Sequence, residues 1–182
     1  MTLLVLVGPA GVGKGTLVQE ILGKNSDFML SVSATTRSPR PGEQDGIHYH
    51  FIDQSDFERM IETGQLLEWA QVHGTHFYGT PVAELEKAEL LGRHLVLEID
   101  LQGARQIRGR VANTVSVFVL PPSIEELEAR LRGRATETEE QIQTRLETAK
   151  VELAAASEFD FQIINDDLGK AAKEIVDLVR KH

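Results

Sequence analysis

Cysteine is absent from the 182 residues, and aromatic residues are scarce, with one tryptophan and two tyrosines. Without cysteine the chain can form no disulfide, so it differs from the small secreted domains that depend on such bridges. No uncharged stretch is long enough to span a membrane, and the apolar run that ends at Gly8 has no basic region before it. The sequence therefore predicts a soluble, cytoplasmic protein without a membrane partner.

Positive charge is also in short supply. The chain has 19 lysines and arginines against 28 aspartates and glutamates, which gives a formal net charge of −9. Because general nucleic-acid binding depends on neutralising phosphates, no nucleic-acid partner is expected. The arginines group locally, Arg37 with Arg40 and Arg130 with Arg132 and Arg134. Such small clusters suit a small phosphorylated ligand better than a polyanion.

Short apolar runs that alternate with helical segments are the main feature that the chain does have. Hydrophobic residues make up 41% of the sequence, which is enough to form the core of one domain of this length. Most of the runs are almost continuously apolar, as in strands buried on both faces of a parallel sheet. The sequence thus predicts an α/β fold with a five-stranded parallel sheet flanked by helices. The predicted strands are 3–7, 29–33, 95–101, 115–120 and 161–165.

Capping signals indicate where helices begin. Thr80 before Pro81 predicts a helix with Thr80 as its N-cap and proline at its first position. Thr138 and Gln141 have the spacing of a capping box at the start of a longer helix. The predicted helices of the core and its extensions are 14–22, 81–91, 124–132, 138–155 and 169–179.

One stretch, residues 34–80, interrupts the alternation. It is more polar and holds a short predicted helix, 56–63, with Ser55 at its start. These features predict a small antiparallel lobe inserted into the core. Its strand-like pieces are 48–52, 66–73 and 76–78.

A second stretch, residues 125–147, is rich in charge and joins two helices through 133–136. It predicts a mobile helical lid. The chain is then a single domain with a lobe, a lid and a core. The core comprises about 1–33, 81–124 and 148–182.

A glycine-rich segment lies between the first predicted strand and the first predicted helix. This is the context of a P-loop, in which backbone N–H groups and the helix N-terminus bind phosphate oxygens. Lys14 is expected to reach the β- and γ-phosphates of ATP. Gly15 stands where the usual pattern has a hydroxyl that ligates Mg²⁺, so no residue is assigned as a metal ligand and phosphates and water are expected to hold the ion. The segment reads Gly8, Pro9, Ala10, Gly11, Val12, Gly13, Lys14, Gly15 and Thr16.

An acceptor for the phosphoryl group has to be recognised elsewhere. Arg37 and Arg40 lie in a proline-stiffened loop, and planar guanidinium groups suit a dianionic monophosphate. Together with the glycine-rich segment, these motifs resemble the guanylate kinase family, in the same order over nearly the whole chain from Gly8 to the 165–167 stretch. The further segments that carry the resemblance are 45–49, 67–70, 77–80 and 97–103.

The resemblance implies an enzyme of purine nucleotide metabolism that transfers the γ-phosphoryl group of ATP to GMP, and to dGMP, with Mg²⁺. It implies a P-loop NTPase core, a GMP-binding lobe and a helical lid. Lys14, Arg134 and Arg145 would be the catalytic cations, and Asn165 and Asp166 would lie near the adenosine. The GMP residues implied are Ser33, Arg37, Arg40, Tyr49, Glu68, Tyr78, Thr80 and Asp100.

The chemistry of the bases supports this interpretation. Guanine presents N1–H and a 2-amino group side by side, and the Glu68 carboxylate can accept from both. Adenine lacks both donors and would leave Glu68 unpaired, which can give discrimination of about 10⁴-fold. No catalytic base is assigned, because the GMP phosphate is already an anionic nucleophile.

Other functions remain open on the sequence alone. The chain could be a non-catalytic binding module, a nucleic-acid-binding ATPase, or a kinase for AMP, a pyrimidine nucleotide or a phosphorylated sugar. Tyr49 and Tyr78 could serve only for packing, and Glu68 could face solvent. No role is assigned to Glu98, the histidines have no metal-ligand arrangement, and the oligomeric state is not predicted.

Overall fold

The computed structural model describes residues 1–72, 75–133 and 138–182, which form two β-sheets and the helices around them. The nine strands of the described residues are short. Each of the five core strands overlaps a predicted apolar run, although the strand Phe28–Leu30 ends three residues before the predicted 29–33 does. The strands are β1 (Leu3–Val7), β2 (Phe28–Leu30), β3 (Ala34–Thr35), β4 (His50–Phe51), β5 (Leu66–Val72), β6 (His76–Pro81), β7 (His94–Glu98), β8 (Thr114–Leu120) and β9 (Phe161–Ile164).

Helices connect the strands, and their ends carry the expected caps in several cases. The capping box of Thr138 and Gln141 is present, with both reciprocal hydrogen bonds. No helix in the described ranges is long and apolar enough to cross a membrane. The helices are α1 (Lys14–Lys24), α2 (Gln54–Glu62), α3 (Val82–Leu91), α4 (Leu101–Ile107), α5 (Ile124–Gly133), α6 (Glu139–Ala154) and α7 (Leu168–Lys181).

The larger sheet has five strands in the order β2-β7-β1-β8-β9, and each neighbouring pair is parallel. This confirms the predicted five-stranded parallel sheet. β1 is central and fully buried, with alternate residues packing to opposite faces. Leu4 and Leu6 pack with α1, α5 and α7. Leu3 and Val5 pack with α3 and α4 on the other face, so helices cover both sides of the sheet.

The smaller sheet has the order β4-β3-β6-β5 and is formed by residues 34–81. The prediction of a purely antiparallel lobe is wrong for one pair. β3 and β4 run parallel because the long 36–49 loop carries the chain back to the same end of the sheet before β4 begins. The β3–β6 and β5–β6 pairs are antiparallel as predicted.

Several predicted bounds differ from the structure, and three of the differences concern where helices begin. The N-cap of α2 is Asp53, whose carboxylate accepts from the Asp56 amide at 2.7 Å, and Ser55 lies inside the helix. The N-cap of α3 is Pro81, which is also the last residue of β6, so α3 begins at Val82, one residue later than predicted. α4 was not predicted at all, because residues 95–101 were assigned to one strand, whereas β7 ends at Glu98.

Candidate functional site

The glycine-rich loop follows β1 at the carboxyl edge of the parallel sheet and leads directly into α1. Gly8 lies so close to β8 that a Cβ there would come within 2.5 Å of the Val119 carbonyl oxygen. Gly13 is the N-cap of α1, with a φ of 98° that only glycine adopts without strain. Lys14 begins the helix, and its Nζ donates to the carbonyl oxygens of Gly8 and Pro9, the latter at 3.2 Å.

Two side chains brace this loop from the neighbouring elements. The Val12 carbonyl oxygen accepts from Asn165 Nδ2 at 2.9 Å and from Arg130 Nη1 at 3.2 Å. Arg130 Nη2 also donates to the Asn165 carbonyl oxygen at 3.3 Å. Asn165 is buried, so it supports the loop from the protein interior. The sequence indicates Arg130 only as a member of an arginine cluster, because Arg130 and Val12 are 118 positions apart in the chain.

An open cavity of about 340 Å³ lies between this loop, α5 and the end of β9. It brings the predicted donor-site residue Asp166 into the same space as Thr16 and Arg130. The glycine-rich N-terminus of α1 therefore faces a space that is lined by polar groups. The residues that line it are Gly11, Gly13, Thr16, Arg130, Asn165, Asp166 and Leu168.

A second cavity, of about 310 Å³, lies between the glycine-rich loop and the smaller sheet. It brings five predicted acceptor-site residues together with Lys14, although the five come from five different segments of the chain. Two carboxylates that the sequence analysis left without a role, Glu98 and Glu152, also line it. The polar residues that line this cavity are Lys14, Ser33, Tyr49, Glu68, Tyr78, Glu98, Asp100 and Glu152.

Glu68 is the most deeply buried of these carboxyl groups, with 4% of its surface exposed. Thr80, also buried, donates its hydroxyl to Glu68 Oε1 at 2.7 Å, because the two residues are paired across β5 and β6. Burial, together with the nearby charge of Asp100 and partly opposed by the Thr80 hydrogen bond, raises the pKa of Glu68 to about 7. Thr80 itself does not line the cavity, so the contact with the guanine base that was predicted for it remains a prediction.

Asp100 is the N-cap of α4, and its Oδ1 accepts from the Gly103 amide at 2.8 Å. The first turn of α4 packs so closely on Glu68 that a Cβ at Gly103 would clash with Oε2 and lie 3.1 Å from Cδ. The carboxylates of Glu68 and Asp100 are consequently held side by side at one end of the cavity.

Arg37 lies behind the two tyrosines rather than on the cavity wall. Its Nε donates to the Tyr78 hydroxyl at 3.1 Å, and its Nη2 donates to Glu43 Oε1 at 2.9 Å. Its guanidinium carbon is 5.6 Å from the centroid of the Tyr49 ring. The hydrogen bond to Glu43 is the main reason that the pKa of Arg37 is raised. The guanidinium group is thus fixed in orientation, which favours binding of an anion in a defined direction.

Arg40 and Arg145, like Arg37, line neither cavity. Arg40 is exposed, and its backbone amide, rather than its side chain, donates to Glu43 Oε2. Arg145 lies on an exposed side of α6. Arg134 lies outside the described residues. The roles predicted for Arg40, Arg134 and Arg145 remain predictions.

Glu98 ends β7 directly opposite the start of α1. A Cβ at Gly15 would lie 3.6 and 3.7 Å from its two carboxylate oxygens, so Glu98 faces the position that follows Lys14. The surrounding protein reduces hydration and raises the pKa of Glu98, and the charge of Lys14 opposes that rise. The partial burial of Glu152 raises its pKa as well. Glu98 lies inside the predicted strand 95–101, and its charge within a largely apolar run was the signal that could have assigned it to the site.

The parallel sheet, the glycine-rich loop on α1 and the adjoining acceptor cavity define a P-loop nucleotide-binding protein. A model of the guanylate kinase family matches residues 1–182. The guanylate kinase of Leifsonia xyli subsp. xyli is 55% identical over 97% of this chain and 70% of its own length. That of Prochlorococcus marinus strain MIT 9312 is 46% identical over 98% and 96%. The chain belongs to the guanylate kinase family.

A solved structure agrees with this assignment. The crystal structure of guanylate kinase from Anaplasma phagocytophilum matches with a TM-score of 0.75 and 32% identity, over 99% of this chain and 85% of that one. The predicted family and its P-loop core are confirmed.

Proposed function

We propose that this chain transfers the γ-phosphoryl group of ATP to GMP, and to dGMP, at the junction of its two cavities. One observation carries the proposal: Lys14 of the glycine-rich loop and the Glu68 carboxylate line the same cavity. A phosphate bound at the loop and a base bound at Glu68 would therefore belong to two substrates whose reacting groups meet between Lys14 and Glu68. Membership of the guanylate kinase family supports the same reaction.

Glu68 and Asp100 would bind the guanine base. Glu68 already uses Oε1 to accept from Thr80, and each carboxylate oxygen has room for a second donor. N1–H and the 2-amino group of guanine supply two such donors, which adenine lacks. Ser33 lies on the same wall and adds a hydroxyl that can donate or accept. Because Glu68 is buried, a base that left it unpaired would lose binding free energy.

The tyrosine hydroxyls and Arg37 would bind the GMP phosphate. The rings of Tyr49 and Tyr78 are 5.9 Å apart, and both line the cavity that reaches Lys14. Arg37 lies directly behind Tyr78, so that its positive charge favours a dianion at this end. Arg40 would complete the phosphate site from its exposed position if the 36–49 loop moved inward. The lobe formed by 34–80 would then close on GMP.

ATP would place its β- and γ-phosphates at the loop amides and Lys14. The glycine-rich N-terminus of α1 favours negative charge there, and Arg130, Asn165 and Asp166 lie toward the adenosine end. Arg134 and Arg145, from the 125–147 segment proposed as a lid, would add positive charge at the transferred group.

Mg²⁺ fits the donor set at the start of α1. The described residues contain no group of three or more carboxylate, histidine or cysteine ligands that could enclose a metal. They do place the Glu98 carboxylate and the Thr16 hydroxyl in one polar cavity of about 390 Å³ with Lys14. These oxygen donors, with phosphates and water, match the usual Mg²⁺ environment. When bound, the ion would neutralise charge on the β- and γ-phosphates.

The residues would act mainly by positioning the two anions in line. The GMP phosphate attacks the γ-phosphorus of ATP, the bond to the β–γ bridging oxygen breaks, and ADP carries that oxygen away. Lys14 stabilises charge on the transferred group, and Arg37 offsets repulsion between the substrates. No side chain has to remove a proton, because the attacking oxygen is already anionic.

An assay of ADP release tests the proposal. Purified protein with ATP and Mg²⁺ is incubated in parallel with GMP, dGMP, AMP, CMP, UMP and dTMP. We expect ADP release with GMP and, more slowly, with dGMP. Equal or greater turnover with another monophosphate would contradict the assignment of Glu68 and Asp100, and no turnover with any acceptor would contradict the kinase itself.

A further inference from the structure

The guanine end of the site is built from two parts of the fold that no strand pairing connects. Glu68 belongs to β5, the outer strand of the smaller sheet, whereas Asp100 caps α4 beside the larger sheet. Their relative position therefore depends on how β5 is attached to α4. An outer strand also leaves some backbone N–H and C=O groups without a strand partner.

Gln106 provides that attachment through both ends of its side-chain amide. Its Nε2 donates to the Trp69 carbonyl oxygen at 2.6 Å, and its Oε1 accepts from the Trp69 amide at 3.2 Å. The side chain thus pairs with the outer edge of β5 as a neighbouring strand would. Trp69 is the residue directly after Glu68, so the pair fixes the backbone next to the buried carboxylate.

The other end of the same helix holds Asp100. α4 runs from Leu101 to Ile107, and its rigid backbone sets the distance between its N-cap and Gln106. Gly103 lies between them and lets the helix approach Glu68 without a side chain in between. Asp100 is thus connected along α4 to Gln106. Gln106 in turn holds Trp69, which is the neighbour of Glu68 in the chain.

We propose that Gln106 is a positioning residue that determines selectivity for guanine by fixing the spacing of the Glu68 and Asp100 carboxylates. It touches no substrate and acts through Trp69. The inference rests on the proposed function, because it assumes that the two carboxylates bind the base. Weakening the Gln106 pair lets β5 shift relative to α4, so that a base with two neighbouring donors no longer meets both acceptors at their best distances.

The test compares substitutions of Gln106 with the same substitutions of Gln102. Gln102 is the same residue type on the same helix, but its side chain is exposed. Gln106→Ala removes both hydrogen bonds to Trp69 and also a long one, of 3.5 Å, to the Gln102 carbonyl oxygen. Gln106→Glu keeps the size and the acceptor but cannot donate to the Trp69 carbonyl oxygen. Kinetic constants are measured for ATP, for GMP, and for IMP, whose base keeps N1–H and lacks the 2-amino group.

Both Gln106 variants should raise KM for GMP by about five- to tenfold, as expected for the loss of a hydrogen bond or two. KM for IMP should rise less, so the preference for GMP over IMP falls, while KM for ATP and kcat stay within about twofold. Backbone hydrogen exchange at the Trp69 amide should be faster in Gln106→Ala than in wild type. Gln102→Ala and Gln102→Glu should match wild type in all of these measurements.

Several outcomes would overturn the inference. A GMP preference that is unchanged in both Gln106 variants would show that the spacing does not depend on the pair. Equal losses with GMP, IMP and ATP, or a lowered kcat alone, would mark a merely structural role. If Gln106→Ala does not fold, Gln106→Glu gives the same readings. A failure of the proposed function would give a different result, since the wild-type protein itself would then not use GMP.

Discussion

Thr80 Oγ1 lies 2.7 Å from Glu68 Oε1, and the two side chains are buried together across neighbouring strands. The hydroxyl has one proton to give, and it satisfies only one oxygen of a carboxyl group whose pKa burial raises to about 7. In the absence of a bound base, this carboxyl group therefore changes its protonation state near neutral pH. Both the binding of GMP and the stability of the fold should depend on pH for this reason.

GMP should bind more tightly as pH rises from 6 to 8, because ionised Glu68 accepts two hydrogen bonds from guanine whereas the protonated group has a donor in one of those positions. KM for GMP is the quantity to measure, with KM for ATP as the comparison. The GMP phosphate titrates near pH 6 as well. The Glu68→Gln variant should keep the pH dependence of KM that comes from the GMP phosphate. It should lose the dependence centred near pH 7 that comes from Glu68. Identical profiles for the two proteins would contradict the role of Glu68.

The free energy of unfolding should fall as pH rises from about 4.5 to about 7. The folded chain holds the Glu68 proton up to about pH 7, whereas the unfolded chain releases it near the ordinary value of 4.5, so the folded state binds more protons in this interval. The pKa difference corresponds to roughly 3 kcal/mol at most. Urea unfolding of wild type and Glu68→Gln at pH 5 and pH 8 measures it, and the variant should gain relative stability at pH 8.

The parallel sheet could be predicted because its strands are buried on both faces and carry an almost continuous apolar pattern. Leu3 to Val7 shows this directly, since all five residues are buried. The caps of α2 and α3 could not be placed to the residue, because Asp53 and Ser55 are both good caps and only the backbone conformation decides between them. α4 was not predicted because this short helix, which contains Gly103, follows an apolar strand without any break in the sequence pattern.

The site was predictable where a motif fixes both residue and environment, as with Lys14 and the glycine-rich loop. The contacts that support the site could not be predicted. Arg130, Gln106 and Glu84 act through backbone atoms of distant segments, and such contacts leave no spacing in the sequence. Glu84, for example, is buried in α3 and accepts from the Val32 amide at 3.0 Å, where the chain passes from the core into the smaller sheet.

Lys14→Ala should lower kcat by about 10³-fold, since it removes the cation at the transferred group. The change should leave the fold intact because Lys14 donates to carbonyl oxygens of its own loop, and α1 retains its apolar face. Lys24→Ala, at the other end of α1 and paired with Glu20, is the matched control. Circular dichroism and turnover measured on both variants check this, and full activity of Lys14→Ala would exclude the phosphate-loop assignment.

Gly103→Ala should raise KM for GMP and lower stability, although alanine favours helix more than glycine does. Its Cβ would clash with Glu68 Oε2, so the carboxylate or α4 has to move. Gly23→Ala in α1 makes the same substitution in open space and should raise the melting temperature slightly without a kinetic effect. Thermal unfolding and GMP kinetics of the pair separate helix propensity from the clash. A Gly103→Ala protein with wild-type KM would mean that Glu68 can move freely.

Arg37→Lys should raise KM for GMP by roughly 10- to 100-fold, the loss expected for a charge-assisted hydrogen bond. An ammonium group keeps the charge but cannot donate to the Tyr78 hydroxyl and to Glu43 in the same fixed geometry, so the direction of the positive charge is lost. Arg59→Lys makes the same change on the exposed side of α2, where Arg59 pairs with Asp56, and should bind GMP as wild type does. Equal KM values for the two variants would mean that charge alone, rather than the orientation set by Tyr78 and Glu43, recognises the phosphate.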